Sequence, residues 1–123
     1  MRNEDFSGIR NDGPLPSPQS VQVPDDIGDL LDDYVESTES MLAELEQAAL
    51  AYESGQDREE NSGALRRILH KIKGESSMVG IEQMSELCHQ AESAFEELPE
   101  NKRSDMLFRY KDWAWTALHS MTE

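Results

Sequence analysis

The chain has 123 residues, 26 of them acidic against 11 basic, for a formal net charge of -15; a length of this order fits one domain with a single modest core. Such a charge argues against nucleic acid and against anionic membrane surfaces as partners, because both need a concentrated basic face. With a lone cysteine, Cys88, no basic-then-apolar leader and no apolar run approaching the roughly 18 residues of a membrane span, the composition points to a soluble, cytoplasmic protein.

Residues 1–24 carry Gly8, Gly13, Pro14, Pro16, Pro18 and Pro24 among few apolar side chains, a composition that predicts a flexible linker, since so little burial cannot offset the entropy of ordering. Residues 25–123 form the expected domain. From Asp25 onward Ile27, Leu30, Leu31, Tyr34, Val35, Thr38, Met41, Leu42, Leu45 and Ala49 recur at three- and four-residue spacing, which predicts a first helix. Gly55 and the polar run after it break that pattern, and Leu65, Ile68, Leu69, Ile72, Ser76 and Val79 predict a second helix that Gly80 ends. Met84, Leu87, Cys88, Ala91, Phe95 and Leu98 predict a third helix, stopped by Pro99. Met106, Leu107, Tyr110, Trp113, Ala114, Ala117, Leu118 and Met121 predict a fourth. Four amphipathic segments on short polar connections imply an all-α fold: an antiparallel up-down four-helix bundle behind a disordered N-terminal tail.

The informative stretch is LRRILHKIKGESSMVG, residues 65–80. At 100° per residue His70 lies about 140° from Leu65, well off the apolar stripe. Lys73, Gly74 and Ser77 follow it on one flank, while Ser76 points toward the core. An imidazole that is largely neutral near pH 7 has a free lone pair and is a nucleophile. Beside it, Lys73 would put a positive charge where phosphoryl oxygens sit. Gly74 removes a side chain one turn on, at a helix-propensity cost of about 1 kcal/mol relative to alanine, and so leaves room for a partner.

HKIKGESSMVG resembles the phosphorylation-site motif of histidine-containing phosphotransfer (HPt) domains, with lysine three, glycine four and a second glycine ten residues after the histidine. The continuation ELCHQAESAFEEL is similar to the following helix of the phosphotransfer domain of CheA-type chemotaxis histidine kinases, where a second histidine and a glutamate three residues later sit near the reactive one; here these are His89 and Glu92. The resemblance spans about residues 26 to 121 and implies that His70 carries a phosphoryl group on Nε2, that Glu92 accepts a hydrogen bond from Nδ1–H, and that His89 completes the polar cluster. Such a bond selects the tautomer with a nucleophilic Nε2. Lys73 would assist, and Gly74, Ser77, Arg66 and Arg67 would face the partner. The partners implied are response-regulator receiver domains and the catalytic domain of a histidine kinase. No cofactor is implied in the domain itself, Mg²⁺ being expected from the partner, and no independent turnover.

Glu75 departs from the family pattern, in which many relatives have a small residue, and sets a negative charge near the acceptor. CheA-type phosphotransfer domains also commonly add a fifth helix that is not seen before Glu123, so a free-standing carrier and a portion of a CheA-like kinase both stand as expectations. The rival from another class is a non-phosphorylated helical interaction module using Phe108 and Trp115, which fall off the core stripe of the last helix. A zinc site from Cys88, His89, Glu92 and His70 is disfavoured because Cys88 belongs to the apolar stripe and His89 does not. His119 reads as a surface residue. Without a phosphate-cradling glycine loop or a nucleophile triad, an independent enzyme has little support.

Overall fold

The computed structural model describes residues 5–122; residues 1–4 of the expected tail and Glu123 lie outside the described part. Within it the chain is helix and connection alone: α1 (Gly8–Asn11), a 3₁₀ turn (Pro18–Ser20), α2 (Leu30–Glu53), α3 (Arg58–Met78), α4 (Glu82–Glu97) and α5 (Glu100–Met121). The four long helices form the expected all-α bundle, each packed on its chain neighbour, with α5 closing against α2.

Each boundary has a local cause. The apolar spacing suggests a helix from Asp25, but α2 begins at Leu30: Gly28 adopts a φ of 58°, and residues 24–28 form turns before the helix, whose first turn carries Asp32 and Asp33. At the end of α3, Gly80 has a φ of 83°. Its N–H bonds to the carbonyl of Ser77 and that of Ile81 to the carbonyl of Ser76, the paired bonds that close a helix on a left-handed residue. Leu98 is extended ahead of Pro99, which separates α4 from α5 in two residues.

The core follows the apolar stripes. Leu65, Ile68, Leu69 and Ile72 of α3 are buried against Tyr34, Leu42 and Leu45 of α2, Leu87 and Phe95 of α4, and Leu107 and Tyr110 of α5. Ser76 is also buried, and its hydroxyl lies 2.7 Å from that of Tyr34, so this polar group is matched across the α2–α3 seam.

The N-terminal segment departs from the flexible linker that its composition suggests. Residues 5–24 lie along α4 and α5 as a strap, with Phe6 and Ile9 buried in the common core. Phe6 meets Trp113 edge to face at 5.4 Å. Arg10 is paired with Glu97 and donates to Gln90 Oε1 at 3.1 Å. Arg109 donates to the carbonyls of Gly8 and Gly13, and the Trp113 indole N–H to that of Pro16 at 2.7 Å. A Cβ at Gly8 would collide with the Pro14 carbonyl, so glycine permits the tight reversal that presents those carbonyls. Two apolar anchors and a set of captured carbonyls hold a segment that average composition marks as unstructured.

Two outcomes are expected. Leu69→Ala or Ile72→Ala should lower stability by about 2–5 kcal/mol in chemical denaturation, whereas His70→Gln should leave the melting temperature near that of the parent because His70 is exposed. The Arg10 guanidinium holds the Glu97 carboxyl below its usual value of 4.5. A lowered folded-state pKa stabilises fully above the ordinary carboxylate range and loses that contribution as pH falls through the lowered value. Because the pair is solvent-exposed the effect is small: stability in chemical denaturation should fall slightly more between neutral pH and the acid side of the carboxylate range in the parent chain than in Glu97→Gln.

Candidate functional site

The apolar stripe of α3 turns its opposite side to solvent, and His70 stands there with a side chain 76% exposed. Three residues on, Lys73 leans toward α4, where Glu92 meets it with Oε1 2.7 Å from Nζ. The second oxygen, Oε2, is 3.5 Å from His70 Nδ1. One carboxylate, itself only 23% exposed, thus serves a lysine and a histidine on the neighbouring helix. The lysine contact has the length of a charge-assisted hydrogen bond; the histidine contact is longer than a formed one and would tighten as the ring gains positive charge. The remaining ring nitrogen, Nε2, makes no hydrogen bond or ion pair among the described residues. Lys73, placed by spacing alone beside an incoming phosphate, is in the resting structure anchored to Glu92.

His89 is exposed on α4 and lines the same shallow cavity as Lys73, Glu92, Leu69 and Phe95, but it makes no hydrogen bond or ion pair with His70 among the described residues. Gly74 faces open space: a Cβ added there would meet nothing within 4 Å, so neither packing nor backbone conformation calls for glycine. Ser77 is exposed on the same flank. Of the two arginines expected to face a partner, Arg67 is exposed without an ion pair among the described residues. Arg66 is instead engaged with Glu96 of α4 (Nη2 to Oε1, 3.2 Å), its guanidinium 5.3 Å from the Phe95 ring centroid. That bond holds the Glu96 carboxyl below its usual range and spends Arg66 on the α3–α4 seam.

Glu75, troubling beside an acceptor, sits about 140° around the helix from His70, and Ser37 of α2 donates to its Oε1 at 3.0 Å. The carboxylate is thereby held on the α2 side. Ser37 is a site neighbour that no motif announces, since its partner is 38 residues away. Cys88 is buried, its Sγ 2.9 Å from the Leu69 carbonyl, whereas the adjacent His89 is exposed about a quarter-turn around α4. Burial pushes its thiol up to about 12. Phe108 and Trp115 are half-buried against the core; Trp115 stands edge-on to His119 and lies 4.8 Å from Lys111 Nζ. They do not form the free aromatic face that the rival reading requires.

The site thus combines an exposed histidine, a lysine and a carboxylate from the next helix, with an open glycine position one turn on. The Hpt domain family matches the chain over residues 29–121. The chain belongs to the Hpt domain family. Hpt membership implies histidine phosphotransfer in two-component phosphorelay signalling, performed by a carrier module without catalytic activity of its own. Hpt domains of such relays interact with kinases and receiver domains. No curated protein and no solved structure matches the chain. No helix among the described residues is long and apolar enough to cross a membrane.

The thiol gives a check on which side of α4 faces the core. A neutral, buried Cys88 should resist iodoacetamide at neutral pH in the native Hpt domain and react fully once denatured; labelling of the native protein at the denatured rate would contradict the placement.

Proposed function

We propose that this Hpt domain is a cytoplasmic phosphoryl carrier whose acceptor is His70 Nε2, on an antiparallel up-down bundle. The observation that carries the reading is the exposed His70 with Nδ1 facing Glu92 Oε2. In transfer from a phosphorylated receiver, the Nε2–P bond forms as the P–O bond to the receiver's aspartate breaks, and the aspartate leaves as a carboxylate. The Nδ1 proton stays on the ring, which becomes cationic, and Glu92 lies where it stabilises that charge. Lys73, within one side chain's swing of His70, offsets phosphoryl charge as its hold on Glu92 is shared with the ring. The domain supplies the nucleophile and its setting, and Mg²⁺ comes with the partner.

Gly74 supports the same reading from the side of the partner. A mid-helix glycine in open space is a loss in the isolated domain, explained if a receiver must approach the α3 backbone beside His70. Ser77 and Arg67 lie on the approach, and His89 beside Glu92 favours a CheA-type kinase catalytic domain as donor.

Acid-labile label from [γ-³²P]ATP through a CheA-type kinase core, or from a phosphorylated receiver, should appear on the parent chain and be absent in His70→Gln. Gly74→Leu should slow transfer from either protein donor while leaving the fold intact, and Gly74→Ala should raise stability by up to about 1 kcal/mol. Labelling of His70→Gln at the parental rate would remove His70 from the role.

A further inference from the structure

The family match begins at residue 29, yet the domain carries the 5–24 strap ahead of it, gripping α4 on the face turned away from α3. The grip runs along the helix. Near its start, Gln83 Oε1 accepts from the Gln22 backbone N–H at 2.9 Å, and near its end Arg10 spans Gln90 and Glu97. The strap is in turn fixed to α5 through Arg109 and the Trp113 indole N–H. α4 is the shortest of the four long helices, with 16 residues, and it is joined by brief connections to α3 and α5. Its inner face carries Glu92, whose two oxygens stand at 2.7 Å from Lys73 and 3.5 Å from His70.

The histidine distance is the sensitive one. At the edge of hydrogen-bonding range, a small roll or slide of α4 either closes the contact or abolishes it, while the flexible lysine follows the carboxylate. We propose that the strap is a positioning element for phosphotransfer: anchored by Phe6 and Ile9, it clamps the outer face of α4 and sets the Glu92–His70 contact, with Arg10 as the positioning residue that ties it to Gln90 and Glu97 of α4. The inference rests on His70 being the phosphoryl acceptor. With the clamp loosened, Glu92 would select the Nδ1–H tautomer less strongly, and less of the imidazole would present a nucleophilic Nε2.

Phosphoramidate is the suitable probe, because a small donor needs no docking surface. His70 Nε2 attacks phosphorus, the P–N bond breaks, and ammonia leaves with the bonding pair, so the rate reports the site alone. The full chain, Arg10→Ala, Arg10→Lys and Trp113→Phe would be compared well below their melting temperatures, following the phosphorylation rate and the His70 tautomer ratio from ¹⁵N chemical shifts assigned by their loss in His70→Gln. A severalfold slower rate with a fall in the Nδ1–H tautomer is expected in Arg10→Ala, with partial recovery in Arg10→Lys and a smaller loss in Trp113→Phe. Should Arg10→Ala fail to fold, the other two variants carry the same comparison. A rate or a tautomer ratio that stays at the parental value in the folded variants overturns the proposal, since a merely stabilising strap would move neither. Failure of the parent chain to label on His70 would instead overturn the acceptor assignment, so the two failures are told apart.

Discussion

Helix α3 has to be sealed on one side and bare on the other, and the remaining structure answers to that division. Leu65, Leu69 and Ile72 commit one face to the core with no measurable exposure, which leaves His70 no freedom to turn inward. Burial of three such side chains is worth several kcal/mol, far more than any surface contact of His70 could return. The exposure of His70 is therefore a consequence of packing on the other side of its own helix.

Around that exposed face the polar groups are sorted by the neighbouring helices. Toward α4, the Glu92 carboxylate meets Lys73 and His70, and Glu96 takes up Arg66. Toward α2, Ser37 draws in Glu75. These three acidic groups are thus given partners, and Glu75 is kept on the flank away from the His70 ring. In a chain of net charge -15, this sorting keeps the histidine from standing in an undiluted negative field.

The strap extends the same logic by one layer. α4 faces α3 on one side and residues 5–24 on the other, so the element bearing Glu92 is held between two surfaces. Its polar contacts are individually modest where exposed, but Phe6 and Ile9 anchor them by burial. Placing two large apolar side chains in the core converts a glycine- and proline-rich segment into part of the domain.

The sequence by itself determined the helices, the buried stripe and the exposure of His70, because each follows from a periodicity read within a few turns of chain. The glycine that ends α3 was legible too, from local backbone chemistry, whereas the nearness of Glu92 to His70 was suggested by the family resemblance alone. Tertiary structure alone decided which charged groups are free: Arg66 is taken by Glu96, 30 residues away, and Glu75 by Ser37. It alone decided that residues 5–24 are packed, since the Arg10–Glu97 contact joins positions 87 residues apart. Composition averages over such a segment, whereas folding depends on the two or three side chains that find a site, and that site exists only once α4 and α5 are side by side.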